Sequence, residues 1–182
     1  GPCLPVVTAC STSANAIGEA YRAIRHGYAD AILAGGAEAA IDPLSVAGFT
    51  SCMALSACGD PLASSIPFDA RRDGFVMGEG AGALVLESYD HAVVRNATIY
   101  AEVLGYSHTC DAHHITAPHP EGLGAQEAIR SALDQAGGCR TERLYINAHG
   151  TSTPLNDRIE TLAIRGALGA AESCWHTARQ YV

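Results

Sequence analysis

Lysine is absent from this 182-residue chain; all eleven of its Lys-plus-Arg residues are arginine. Without lysine there is no Schiff-base chemistry and no P-loop amine to meet a nucleotide phosphate. Charge of either sign is scarce, at 16% of residues against 48% apolar ones. That balance belongs to a buried sheet and not to a disordered chain. The net charge of −8 makes nucleic acid an unsuitable partner. No apolar run approaches the ~20 residues needed to cross a membrane, and no secretory signal opens the chain. A cytoplasmic protein away from the membrane is therefore expected. Regular cysteine spacing is missing too. Cys3, Cys10, Cys52, Cys58, Cys110, Cys139 and Cys174 contain no C-x-x-C pair, so no metal site or disulfide framework is expected and reduced thiols are the simpler reading. No linker, low-complexity tract or short repeat interrupts a length that suits one domain with a proper core.

What is present is an alternation of short apolar runs with helical patterns, which indicates α/β architecture. After Cys10, the residues Ile17, Tyr21 and Ile24, with Ala14, share one helix face, and Gly27 is a natural stop. Ala31-Ile32-Leu33 forms a short strand ended by Gly35-Gly36. Residues 42–67 are helix and loop. Ala83-Leu84-Val85-Leu86 and residues 99–106 are strands. A helix over about 122–136 turns Ala125, Ala128, Ile129, Ala132, Leu133 and Ala136 inward and ends at Gly137-Gly138. A last helix starts near Asp157, with Ile159, Leu162 and Ala163 inward. The run Gly78-Glu79-Gly80-Ala81-Gly82 leads into a strand and not a helix, which is the wrong context for a dinucleotide fingerprint and suits close backbone packing.

Two segments carry candidate chemistry. In Thr8-Ala9-Cys10-Ser11-Thr12-Ser13 the apolar run Leu4 to Val7 gives way to a helix, so Cys10 lies in a first turn. Free N–H groups and the positive dipole end favour a thiolate there, the nucleophilic form of cysteine. The effect is roughly 0.3–2 kcal/mol, so a second polar partner is required. By itself such a cysteine is more often a small core residue. In Asn147-Ala148-His149-Gly150-Thr151-Ser152-Thr153-Pro154, a histidine follows the apolar run Leu144-Tyr145-Ile146, taken as a strand. Active sites of α/β sheets form beyond strand ends, imidazole moves protons near neutral pH, and threonine hydroxyls suit a polar ligand arm. By itself His149 is equally an ordinary loop residue.

Taken together the two segments resemble the β-ketoacyl-acyl carrier protein synthases, condensing enzymes of the thiolase superfamily, and most closely the elongating bacterial type II kind. Three further stretches agree in order and spacing. Ala34-Gly35-Gly36-Ala37-Glu38 is similar to the strand end after the nucleophile helix. Residues 68–82, from Phe68-Asp69-Ala70-Arg71-Arg72-Asp73-Gly74 to Gly80-Ala81-Gly82, resemble the family's most distinctive internal signature. Asp111-Ala112-His113-His114-Ile115-Thr116 resembles a loop near the active-site entrance. The resemblance covers residues 1–171, a partial ketosynthase domain; residues 172–182, with Cys174-Trp175-His176, form an unmatched tail.

The resemblance implies a thiolase-like αβαβα layered fold of two similar halves, of which this chain carries the end of the first and the start of the second. It implies decarboxylative condensation in fatty acid biosynthesis. Cys10 accepts an acyl chain from an acyl carrier protein, its N–H being one oxyanion donor. His149 acts on the malonyl thioester. Thr151 and Thr153 meet the phosphopantetheine arm, which arrives on the carrier, so no resident cofactor is needed. Phe49 matches a position near the acyl pocket, with ordinary core packing as its alternative; Met53 is a second pocket-wall candidate. The full-length family member is expected to be a homodimer. Cys10 and His149 are expected to serve one side of the sheet. An acidic carrier needs a local basic patch, for which Arg22, Arg25, Arg71 and Arg72 are candidates, solvated surface charge being the plainer reading of each. The family's lysine, second histidine and glycine-rich oxyanion loop have no match here, and His176 takes no such role. An incomplete chain, inactive by itself, is therefore expected. Asn156 stands where the family has glycine and Ile66 where it often has arginine. The alternatives are a non-catalytic thiolase-fold protein for dimerisation or carrier binding, disfavoured by Cys10, and a thiolase-like acyltransferase, disfavoured by the His149–Thr153 run.

Overall fold

The structure is a computed structural model that describes residues 1–138 and 144–169. Cys139, the tail 172–182 and His176 lie outside the described residues. The chain divides into two compact units, one of Gly1–Glu38 with Gly80–Tyr106, the other of Ala39–Glu79 with the residues from Ser107 onward.

The first unit is a helix on a two-stranded sheet. A single 3-10 turn, Ala9–Ser11, leads into α1, Thr12–Arg25. Strands β1, Ala31–Glu38, and β2, Gly80–Glu87, pair antiparallel with Ala31 opposite Glu87 and Glu38 opposite Gly80. Helix α1 lies on β1. Ala20, Ala34 and Leu86 make the core there, with Ile17, Tyr21, Ile24 and Ile32 packed around them. The expected face of α1 is thus the buried one, except that Ala14 is exposed. Gly27 closes the helix at φ +74°. Its N–H donates to Ile24 O at 3.0 Å and that of Tyr28 to Ala23 O at 2.9 Å, the paired bonds of a glycine-ended helix. A short helix, α2, Tyr89–Val94, follows β2. It was not expected, because six residues show too little periodicity. Residues 99–106, expected as a strand, form none. A ladder requires a partner strand, and instead Tyr21 Oη donates to Leu104 O at 3.1 Å.

Among its described residues the second unit holds three helices. Helix α3, Pro43–Ser51, starts at Asp42, whose carboxylate accepts from the N–H groups of Leu44 and Ser45 at 2.8 and 3.1 Å. Bonds from Ser45 and Leu44 hold the Asp42 carboxyl below its ordinary pKa. Helix α4, Leu123–Gln135, packs on α5, Pro154–Leu168. Of the face expected for α4, Ala125 is exposed and the rest half-buried. Helix α5 begins three residues before the expected Asp157 because Pro154 suits the first turn, where its missing N–H costs nothing. Its buried side chains are Asp157, Ile159, Ala163 and Ile164, whereas Leu162 is 45% exposed. Leu162 lies on the side of the helix opposite Asp157 and Ile164. Residues 144–146 form no strand.

Candidate functional site

Around Cys10 the backbone turns sharply. Ala9, the residue before it, has φ +50°, a left-handed conformation that costs a residue with a Cβ about 1–2 kcal/mol. Short polar side chains close the turn. Ser11 N–H and Ser11 Oγ both donate to Thr8 O, at 3.2 and 2.8 Å. Thr8 N–H donates to Thr12 Oγ1 at 2.9 Å, and that hydroxyl donates to Ala9 O at 2.8 Å. The strained alanine is thus held on both sides by hydroxyls, which bond main chain in preference to continuing a helix. Cys10 is exposed and lies in the 3-10 turn that leads into α1, just ahead of the helix's first turn where the sequence placed it. Cys3, Cys52, Cys58 and Cys110 are exposed free thiols as well.

The other candidate catalytic and substrate-binding side chains belong to the second unit. Ala148, Gly150 and Ser152 are buried, while His149 between them is exposed and Thr151 and Thr153 are half-buried. Burial thus alternates along the segment although it forms no strand. The loop is held from behind by α5. Glu160 Oε1 accepts from His149 N–H at 2.6 Å, and its Oε2 accepts from Gly150 N–H at 2.9 Å. Thr151 Oγ1 and Thr153 Oγ1 share a hydrogen bond of 2.8 Å. Ser152 is fully buried in a left-handed conformation, φ +64°, and its hydroxyl accepts from Ile66 N–H at 3.0 Å.

Below this loop lies a buried ion pair. Asp157, 1% exposed, has Oδ2 at 3.3 Å from Arg72 Nε and accepts from Phe68 N–H at 2.8 Å. Arg72 also donates to the carbonyls of Thr153, Asp69 and Pro154 at 3.3, 2.8 and 2.9 Å. Arg72 is therefore a structural cation and no part of a surface patch, because burial requires its guanidinium to be matched. Arg71 pairs with Asp69 through two bonds of 2.9 Å and holds that carboxyl well below the usual range. Arg22 pairs with Glu19 at 3.2 Å, and Arg25 donates to Tyr21 Oη at 2.7 Å. Phe49 packs edge-on against Phe75, centroids 5.2 Å apart, and stays 42% exposed. Met53 is 88% exposed.

Sequence reasoning missed Asp157, Glu160 and Ser152 as supports of the His149 loop. The available signal was the pair of acids three residues apart on the first turns of a helix directly after the loop. Asn156 needs no left-handed backbone. It lies in α5, and its Nδ2 donates to Asp157 Oδ1 at 3.3 Å. Among the described residues no cluster of His, Cys, Asp and Glu could hold a metal ion. No helix there is long and apolar enough to cross a membrane.

Comparison with known proteins agrees across the chain. The model of the β-ketoacyl synthase N-terminal domain matches residues 1–92, and that of the C-terminal domain matches residues 100–179. The chain is 57% identical over 170 residues, 93% of its length, to the 3-oxoacyl-[acyl-carrier-protein] synthase 2 of Synechocystis sp.. It is 50% identical over 171 residues, 94% of its length, to the protein of that name from Staphylococcus aureus. It spans 41% and 42% of those two relatives. Solved structures are similar as well. A type II polyketide ketosynthase, bound to the hexaketide and in complex with its acyl carrier protein, gives a TM-score of 0.87 at 41% identity, over 92% of this chain and 42% of that one. A β-ketoacyl synthase from Burkholderia phymatum gives 0.83 at 40% identity, over 91% and 40%.

Proposed function

The chain belongs to the β-ketoacyl synthase family, and we propose that it serves the decarboxylative condensation of fatty acid biosynthesis, with Cys10 as nucleophile and His149 as a group acting on the malonyl thioester. The observation that carries this reading is Cys10 itself, set directly after a left-handed alanine in the 3-10 turn that leads into a long helix. A thiol so placed has backbone N–H groups and the positive end of a helix beside it.

In the first step the Cys10 sulfur attacks the thioester of an acyl carrier protein. A new C–S bond forms, the old one breaks, and the carrier leaves as its free thiol. In the second, a malonyl group on a carrier loses carbon dioxide. The electron pair of the broken C–C bond remains on the α-carbon as an enolate. That carbon attacks the Cys10 thioester, the tetrahedral oxyanion collapses, and the Cys10 thiolate leaves and takes up a proton. The products are a 3-oxoacyl carrier thioester and carbon dioxide.

The N–H of Cys10 serves as one oxyanion donor. A single such donor is typically worth about 10²–10³ in rate. His149 donates a hydrogen bond to the malonyl thioester oxygen as the enolate charge develops. The clamp of Glu160 supports this role, because it fixes the main chain from which the imidazole projects. The hydroxyls of Thr151 and Thr153 meet the phosphopantetheine arm, which the carrier brings, so no resident cofactor is required. Phe49 lines the acyl pocket. The working protein is a cytoplasmic homodimer.

The test uses the intact protein that carries this chain. Wild type is incubated with an acyl carrier thioester, and peptide mass spectrometry reads the adduct. The acyl group is expected on Cys10 and is lost in Cys10→Ala. His149→Ala is expected to load acyl normally and to lose condensation by two orders of magnitude or more, as with other transition-state donors, which typically contribute about 10²–10³. Acyl transfer to another residue, or full condensation by Cys10→Ala, overturns the reading.

A further inference from the structure

The bonds that close the Cys10 turn converge on one side chain not considered so far. Asn15 stands on α1, one turn past the 3-10 turn. Its Nδ2 donates to Thr8 Oγ1 at 2.8 Å and to Ser11 Oγ at 3.3 Å. One amide therefore grips residues on both sides of the nucleophile. Its other end is fixed as well, since Asn15 Oδ1 accepts from Tyr106 Oη at 3.0 Å.

Tyr106 decides which way the amide faces. A phenol donor satisfies the oxygen end and leaves the NH₂ end for Thr8 and Ser11. Burial, then the nearby Glu19 charge, raises the Tyr106 hydroxyl above its ordinary pKa, so it remains a donor. Its ring lies where a Cβ on Gly18 would stand, 2.1 Å from the nearest ring carbon. The missing side chain at Gly18 thus leaves room for the tyrosine.

The turn needs such a brace. Ala9 at φ +50° is in a conformation that an alanine leaves unless its neighbours over-determine it. Thr8 and Ser11 are the two residues that flank the Ala9-Cys10 pair, and both receive Asn15. We propose that Asn15, oriented by Tyr106, is the positioning residue of the Cys10 turn, holding Thr8 and Ser11 so that the thiol and the N–H of Cys10 keep their reactive placement. The proposal rests on Cys10 being the acyl acceptor, but its first test does not require that reading.

The experiment compares the intact wild-type protein with Asn15→Ala, Tyr106→Phe and the double variant. The probe is limiting iodoacetamide, read peptide by peptide. Cys52 and Cys58, exposed thiols of the other unit, serve as internal references. Asn15→Ala is expected to slow Cys10 labelling about tenfold, the worth of two neutral hydrogen bonds, with Cys52 and Cys58 unchanged. Tyr106→Phe, which keeps the ring on Gly18, is expected to slow Cys10 about threefold to fivefold. The double variant is expected to match Asn15→Ala, because the two act through one amide. Tyr21→Phe removes a hydroxyl from the same helix without touching the turn, and leaves Cys10 labelling unchanged. The second arm follows acyl transfer from carrier to Cys10, where Asn15→Ala is expected to lower kcat and leave KM alone. If Tyr106→Phe labels Cys10 at the wild-type rate, the proposal is overturned even where Asn15→Ala fails to fold. Equal slowing at all three cysteines, or additive effects in the double variant, overturns it too. Absence of acyl transfer in wild type would refute the functional reading alone and leave the labelling result to decide this one.

Discussion

Removing the Asp157 carboxylate should loosen the whole His149 loop. The side chain is 1% exposed and meets three partners, the guanidinium of Arg72 at 3.3 Å, the N–H of Phe68 at 2.8 Å and the Asn156 amide at 3.3 Å. In Asp157→Ala the guanidinium loses its anion. Breaking a buried pair from one side costs about 3–5 kcal/mol. Arg72 keeps three carbonyl acceptors and is 17% exposed, so its share falls to about 2–3 kcal/mol. The orphaned Phe68 N–H adds about 1 kcal/mol. Phe68 is itself held at φ +66°, so it has strain to release once that bond is gone. The expected loss is then about 3–4 kcal/mol, a large part of the 5–15 kcal/mol that holds a typical domain. Asp157→Asn keeps an acceptor for Phe68 and is expected to lose less than half as much. The assay is urea unfolding of the intact protein, with the midpoint read at constant slope. A loss under about 1 kcal/mol in Asp157→Ala would refute the reasoning, because the pair would then contribute no more than a solvated one.

Gly74→Ala should destabilise by about 1–3 kcal/mol through overpacking, since its Cβ would lie 2.4 Å from Leu55 C and Ser56 N, backbone atoms that cannot swing aside. Gly80→Ala, with nothing within 4 Å, is the matched control and should stay within about 0.5 kcal/mol in thermal unfolding. Glu87 accepts from Arg95 at 2.6 Å through each oxygen and from His91, and these partners, Arg95 first, hold its carboxyl down to about 2 from a usual 4.5. A pKa lowered by folding stabilises the fold above pH 4.5 and loses that contribution as pH falls towards 2. The stability gap between wild type and Glu87→Gln should accordingly be widest near neutrality and close over that window in a pH series of denaturant melts. A gap that widens on acidification would contradict the assignment.

Much of this was legible in the residues. The stripe Ile17, Tyr21, Ile24 has the spacing of a helix laid on a sheet, and it is the stripe that packs on Ala34 and Leu86. Gly27 and Gly137-Gly138 mark helix ends because only a φ near +80° admits the closing bonds, and Gly27 and Gly137 stand at φ +74° and +80°. That residues 99–106 form no strand was not legible, because alternation describes a side-chain pattern while a strand also needs a neighbour. Leu162 was misplaced inward on apolar character alone; Ile159 and Ala163, expected on the same face, are buried, but Leu162 lies on the side of the helix opposite Asp157 and Ile164 and is 45% exposed. Positions of chemistry were easier than their supports. Cys10 and His149 announce themselves by residue type next to small and hydroxyl residues. Asn15, Glu160 and Asp157 do not, because each acts on main-chain or hydroxyl groups several residues away or, for Asp157 with Phe68 and Arg72, on a distant stretch of chain.

The two candidate segments solve one physical problem by different means. Each holds a non-glycine residue in the left-handed region beside its functional side chain, Ala9 before Cys10 and Ser152 after Thr151. Such a residue costs about 1–2 kcal/mol, and something nearby must offset it. At Cys10 the offset is a lattice of neutral bonds among Thr8, Ser11, Thr12 and Asn15, on exposed or half-buried residues. At His149 it is a buried hydroxyl on Ile66 N–H, a carboxylate clamp and an ion pair. The difference follows from exposure. Neutral bonds in water are weak singly, so the Cys10 turn uses several. The Asp157 carboxylate has lost its water and is matched by the Phe68 N–H as well as by Arg72, while half-buried Glu160 accepts from two backbone N–H groups. A consequence is that the Cys10 turn should tolerate loss of any one hydroxyl, with Asn15 the exception because it joins two of them. The His149 loop should tolerate almost none, because every group removed there leaves a charge or a donor stranded away from water.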